Sequence, residues 1–325
     1  MGIFDKRVNY KPFDYGGITT PFIEAMWASH WTHKEFNFSK DVQDFKTGVT
    51  DEEREIIRKT VLLISQVEVA VKSYWSNIGK LLPKPEIADM GAVFGGVEVI
   101  HSRAYSHILE KLGLNDDFQG ILAEGVVDRR VKYLTKYINK VYKTEPENIA
   151  YSLCLFTLFT ENVSLFSQFF IILGFNRFRG LFTDVSNVVQ YTSKEESVHA
   201  EGGIALINQI RIENPEIFTP EFTKRLIDES KEALEAEFNL ITWIVGDYEN
   251  EFLSKEILKE YLIRRMNTSL EKIGVGTVFP ENKELTPKVE WMEEEVYVSA
   301  ITDFFIKKPI DYQKNNKSFT EEDLF

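Results

Sequence analysis

Two glutamates stand where acids are not expected, and they constrain the fold more than any other feature of the chain. Between Arg58 and Glu86 the only acidic residue is Glu68, set inside the run Val61-Leu62-Leu63-Ile64-Ser65-Gln66-Val67-Glu68-Val69-Ala70-Val71. Between Ala150 and Thr183 the only one is Glu161. Burying an unpaired carboxylate costs several kcal/mol, so such residues are neutralised, paired or coordinated. Two further pairs repeat a pattern: Glu98-Val99-Ile100-His101, with Tyr105 four residues on, and Glu196-Ser197-Val198-His199. On a helix, steps of three and four place such residues on one face.

Hairpin arithmetic brings the lone acids to the pairs. Glu68 lies fifteen residues before Pro83 and Glu98 fifteen after it, so a reversal there sets them level on antiparallel helices. Glu161 lies thirteen residues before Gly174, and Glu196 thirteen after Thr183, with a loop expected between. The result is a twofold pseudo-repeat: Glu68, Glu98 and His101, then Glu161, Glu196 and His199. Four carboxylates and two imidazoles balance two divalent cations, roughly 3.5–4 Å apart as in other two-metal sites. Oxygen-rich ligation with one His per ion suits iron or manganese better than zinc or copper. His30, His33 and His107 read as surface or supporting residues, and Glu229–Glu237 as a solvated helix face.

The rest of the sequence predicts an all-α chain. An arm over 1–17 and a short helix over 21–34 precede a helix of about 51–82, opened by Thr50 and first-turn acids. Further helices are expected near 86–112, 115–142, 147–173, 181–211, 220–246, 249–272 and 287–305, with the fourth of the long ones ending at Gly174. No strand alternation and no Gly/Ser linker divides the chain, so residues 1–305 read as one domain and 306–325 as a flexible tail. With 43% hydrophobic residues and 25 Phe, the chain can fill a large core. Residues 150–173 are apolar enough to span a membrane, yet Ser, Thr, Asn, Gln and Glu161 interrupt them, which favours a core helix. A net charge of −13 argues against nucleic acid or an anionic membrane as partner. The lone Cys154 rules out a disulfide within the chain. The first residues lack an apolar leader, so a cytoplasmic location is expected.

With these residues in place, the chain resembles the radical-generating small subunit of class I ribonucleotide reductase over essentially its full length. The run Glu98-Val-Ile-His101-Ser-Arg-Ala-Tyr105 is close to that family's Glu-x-Ile-His-Ser-x-x-Tyr segment. The resemblance implies a ferritin-like helical bundle with additional helices and a dinuclear metal site in its core. Its ligands would be Glu68, Glu98, His101, Glu161, Glu196 and His199. Tyr105 would fall at the radical-forming tyrosine and Trp31 at the relay tryptophan. Glu195 would stand for the aspartate that links that tryptophan to a ligand histidine, and Tyr312 for the mobile tyrosine of the tail. Residues 318–325 look like the tail that docks on the large subunit, and a homodimer is implied.

Two departures sharpen the expectation. The first ligand is Glu68 where most members carry Asp, one residue closer to Glu98 than is usual, and Glu replaces Asp at 195. A glutamate first ligand is found in manganese-using members, so a dimanganese centre is favoured, with diiron or mixed manganese–iron the alternatives. In the dimanganese case Tyr105 would be a bystander. A stand-alone ligand-binding oxidase on the same scaffold is the main competing reading, and iron storage or a structural role a weaker one. No P-loop or Gly-x-Gly-x-x-Gly signals nucleotide binding by this chain.

Overall fold

Helix α3 (Asp51–Leu81) begins as its sequence dictates: Glu53 N–H donates to Thr50 Oγ1 at 3.2 Å, and Thr50 N–H donates to the Glu53 carboxylate at 2.9 Å. This is a computed structural model, and it describes residues 2–139 and 145–298. Pro83 breaks the chain, Pro85 occupies the first turn of α4 (Pro85–Leu112), and Gly113 at φ 74 closes it. The two helices pack closely along small residues. A Cβ on Gly91 would lie 2.4 Å from the Trp75 carbonyl, and one on Gly95 would lie 2.2 Å from Ser76 Oγ.

Helices α1 (Gly16–Ala28) and α2 (Ser39–Gln43) precede this hairpin. Helix α1 starts earlier than expected and carries Pro21 inside it, while Trp31 and the short turn His33–Glu35 lie beyond its end. The segment expected as one helix over 115–142 is broken. It forms α5 (Asn115–Gly120), a 3-10 turn (Ile121–Ala123) and α6 (Gly125–Asn139). Glycines at 120 and 125 weaken the helix there, and Glu124 is extended at ψ 115.

The second hairpin differs most from expectation. Helix α7 (Pro146–Leu155) passes through a π-helical segment (Phe156–Ser164) into α8 (Phe166–Arg179) and continues past Gly174. Gly174 serves close packing instead of termination, since a Cβ there would sit 2.9 Å from the Phe252 ring. The helix ends at Gly180, φ 66, and α9 (Thr183–Glu213) follows at once. Its N-terminus is capped from α2 and the π turn after it (Asp44–Gly48): Val185 N–H donates to Asp41 at 2.8 Å and Phe182 N–H to Asp44 at 3.0 Å. Glu161 therefore lies nineteen residues before Gly180 and Glu196 fourteen after Phe182, so the mirrored counting was uneven.

Helix α3 packs on α4 and α8, while α9 packs on the π segment, α8 and α4. Outside them lie α6, α10 (Pro220–Val245) and α11 (Lys255–Lys272), each touching the π segment. Helix α11 starts at its Ser254 cap, not near 249, because Asn250 Oδ1 accepts from Phe252 and Leu253 N–H and holds a turn. Helix α12 (Thr286–Glu293) and a π turn (Glu294–Val298) end the described chain. Residues 299–325, including Tyr312 and the expected docking tail, lie outside the described residues.

The described residues contain no strand, and the architecture is that of a ferritin-like helical bundle with added helices. Among them, one helix (Pro146–Arg179) is long and apolar enough to cross a membrane, and its most apolar window is wholly buried by protein. That is the environment of a core helix.

Candidate metal centre

Each of the four core elements delivers its acids inward. Glu68 comes from α3, Glu98 and His101 from one face of α4, Glu161 from the π segment, and Glu196 and His199 from α9. None is more than 2% exposed. Their ligand atoms fall into two sets, each within 4.8 Å: Glu68, Glu98, His101 and Glu196, and Glu98, Glu161, Glu196 and His199. Glu98 and Glu196 belong to both.

The imidazoles aim the same nitrogen into the cluster. His101 Nδ1 lies 3.1 Å from Glu196 Oε1, 3.6 Å from Glu98 Oε2 and 3.9 Å from Glu68 Oε2. His199 Nδ1 lies 3.2 Å from Glu98 Oε1, 3.2 Å from Glu196 Oε2 and 3.6 Å from Glu161 Oε2. Both carboxylate oxygens of Glu68 and of Glu98, together with Glu196 Oε1 and His101 Nδ1, have no hydrogen-bond partner although they are buried. Buried polar atoms are nearly always satisfied, so a convergent group of orphans calls for cations.

Electrostatics point the same way. Burial pushes the carboxyls of Glu68 and Glu161 well up, with neighbouring glutamates adding to it. Burial alone would lower His101 and His199, but the surrounding carboxylates, Glu195 foremost at His101 and Glu161 foremost at His199, raise both. Burial likewise opposes ionisation of Glu196, yet both imidazoles hold its carboxyl below the ordinary range. Acids so buried resist ionisation unless cations balance them, and the donor set is compatible with two hard or borderline divalent ions.

A hydrogen-bonded chain leaves the cluster toward the surface. His101 Nε2 lies 2.7 Å from Glu195 Oε2, and Trp31 Nε1–H donates to the same oxygen at 3.0 Å. Ser29 Oγ donates to the other carboxylate oxygen at 3.1 Å. Trp31 is buried, with its ring 6.3 Å from the His101 ring and stacked at 5.5 Å on Tyr191, which is partly exposed. Tyr105 lies one turn beyond His101, fully buried near Glu68 with Thr192 beside it. Burial drives its phenol far up, and its hydroxyl has no partner of ordinary geometry.

Sequence reasoning missed Trp75, whose Nε1–H donates to Glu161 Oε1 at 2.8 Å and whose ring lies 6.1 Å from His199. The signal was present: Trp75 is two turns after Glu68 on the same helical face. The expectation of a solvated Glu229–Glu237 face fails at Glu237, which is fully buried and accepts from Arg130 Nε at 3.0 Å. His30 is exposed, and His33 and His107 are half-buried neighbours outside the cluster.

Comparison with known proteins adds an independent line. The sequence model of the family described as "Ribonucleotide reductase, small chain" matches residues 7–287. A probable ribonucleoside-diphosphate reductase small subunit of Invertebrate iridescent virus 3 is 27% identical, over 95% of this chain and 85% of that protein. The ribonucleotide reductase R2 subunit from Clostridium botulinum has a TM-score of 0.79 at 21% identity, covering 91% of this chain and 92% of that one. An R2-like ligand-binding oxidase mutant with a reconstituted Mn/Fe cofactor has a TM-score of 0.69 at 19% identity, covering 81% and 96%.

Proposed function

Because the chain belongs to the ribonucleotide reductase small-chain family, we propose that it generates and holds the one-electron oxidising equivalent with which a separate large subunit starts ribonucleotide reduction. The observation that carries this reading is the pair of overlapping buried ligand sets joined through His101 and Glu195 to Trp31. The ligand-binding oxidases are similar in fold alone, whereas the family model and the named relatives favour a reductase subunit.

One ion would be held by Glu68, Glu98, His101 and Glu196, and the other by Glu98, Glu161, Glu196 and His199. Bound there, a redox-active pair supplies one-electron chemistry that these side chains do not perform alone. Manganese is the favoured metal, because glutamate occupies position 68 where the wider family carries aspartate; diiron or mixed manganese–iron are the alternatives.

The chain's own residues have distinct tasks. Glu195 accepts from His101 Nε2–H, which fixes the tautomer and turns Nδ1 toward the carboxylates. It also accepts from Trp31, so the indole proton has a ready acceptor when Trp31 passes an electron inward. Trp75 fixes one oxygen of Glu161. The aromatic walls Phe94, Trp75 and Phe156 keep water from the cluster. With a dimanganese centre Tyr105, buried beside Glu68 and Thr192, would be a bystander; with a diiron or mixed centre it would be the radical-forming tyrosine. Tyr312 would continue the path from Trp31, and residues 318–325 would dock on the large subunit. We assign residues 1–305 to one metal-binding domain, active as a cytoplasmic homodimer.

Metal analysis with electron paramagnetic resonance, after loading with Mn²⁺ or Fe²⁺ and oxidation, tests this reading. Two ions per chain and a metal-centred signal are expected, and Tyr105→Phe should retain reductase activity with the large subunit. Fewer than two ions would remove the dinuclear assignment. Loss of activity in Tyr105→Phe would move the oxidising equivalent onto the tyrosine.

A further inference from the structure

The π-helical segment that carries Glu161 is held from behind by two buried arginines. Widening a helix to i→i+5 bonding strains the backbone pairing, and such turns recur at functional sites. Here the carbonyl of Asn162 accepts from Arg265 Nε at 2.7 Å, and the Asn162 side-chain oxygen accepts from Arg265 Nη2. The Asn162 amide donates to Ser269 Oγ, and Ser269 Oγ donates to the Arg265 carbonyl at 2.9 Å, closing a ring of bonds with α11. Two residues on, Arg130 Nη2 donates to the Ser164 carbonyl, and Ser164 Oγ donates five residues back to the Phe159 carbonyl at 2.9 Å.

Arg265 is 2% exposed, and its guanidinium lies 3.3 Å above the Phe166 ring, so its reach is fixed. A guanidinium on a helical carbonyl competes with the main-chain N–H of the next turn and so favours the wider geometry. Adjacent helical residues point about 100° apart, so Asn162 faces α11 while Glu161 faces the metal cluster. Trp75 holds the Glu161 carboxylate from the other side.

We propose that Arg265 is a positioning residue for Glu161: by gripping both the carbonyl and the amide of Asn162, it maintains the π turn that aims Glu161 at the second ion. This rests on the dinuclear reading above. Glu161 belongs to one ligand set only, so the effect of Arg265 is selective for the set containing His199.

The test is Mn²⁺ titration of the full chain, followed by electron paramagnetic resonance for isolated against paired ions, with anomalous diffraction at the manganese edge to locate them. Glu161→Ala serves as the reference for a lost site. In Arg265→Met the set containing Glu161 should weaken by roughly 10–100-fold, the size usual for residues supporting a ligand. The set containing Glu68 should be retained, so an isolated-ion signal persists at concentrations that pair the wild type. Arg265→Lys, with one point charge in place of a fork, should recover part of the loss. If Arg265→Met fails to fold, Asn162→Ala, which leaves the carbonyl bond intact, should show the same selectivity to a smaller degree. Equal weakening of both sets, or two ions bound as in the wild type, would overturn the proposal. A wild-type chain that binds fewer than two ions would overturn the dinuclear reading instead.

Discussion

Glu237 shows how burial can hold a proton on an acid even beside a guanidinium. It is fully buried against Arg130, and burial raises its carboxyl to about 7 despite the guanidinium. The folded state thus keeps a proton that the unfolded state, near the ordinary carboxyl value of 4.5, has already released. Its contribution to stability is present below about 4.5 and is lost as pH rises to about 7, an effect of the order of 3 kcal/mol. Glu237→Gln mimics the protonated form beside Arg130 and removes that dependence. Its melting temperature should lie close to the wild type below about pH 4.5 and increasingly above it up to about pH 7, after which the gap stays constant. A gap independent of pH in thermal melts of metal-loaded protein would contradict the protonation assignment. Neither Glu237 nor Trp75 was legible as a core residue: one sits in a run of acids on α10, the other among ordinary aromatics. Glu68 and Glu161 were legible, because their apolar flanks leave a charge no exposed position.

At the scale of elements, the π segment decides how closely α9 approaches. A Cβ on Gly203 would lie 2.2 Å from Thr157 Oγ1 and 2.6 Å from its Cγ2, so only glycine admits this contact. Gly203→Ala should cost about 1–3 kcal/mol through overpacking, read as a lower denaturation midpoint. Thr157→Ala in the same chain should restore much of it. Additive losses in the double-mutant cycle would show that the two residues do not meet. The sequence could not announce the π turn. Phe156–Ser164 is buried on every side, so no apolar–polar period exists to be interrupted. Gly174 misled for a related reason: a glycine near the end of an apolar run reads as a stop, and its packing against Phe252 is visible only in three dimensions. The long helices α3, α4 and α9 were readable because proline, capping threonine and terminal glycine mark most of their limits.

For the whole molecule, the described bundle contains the candidate centre, while the proposed contact with the large subunit belongs to residues 306–325. The two should therefore separate experimentally. Deleting residues 318–325 should leave two ions per chain and an unchanged metal-centred signal, and should abolish turnover with the large subunit. Turnover by the truncated chain would refute the docking role. Composition anticipated the scale of this architecture, since 25 Phe and two long apolar segments can seal a cluster of acids from water. It could not anticipate how the two ligand sets interlock.

That interlock has a thermodynamic consequence. Glu98 and Glu196 stand between the two sets, so occupancy of one set spends charge that the other also needs. In the proposed dinuclear centre the two positions would then be linked, with one affinity for the first arrival and another for the second. At equilibrium the order of supply leaves no trace, and the unlike stepwise affinities are what a titration of the proposed pair would read.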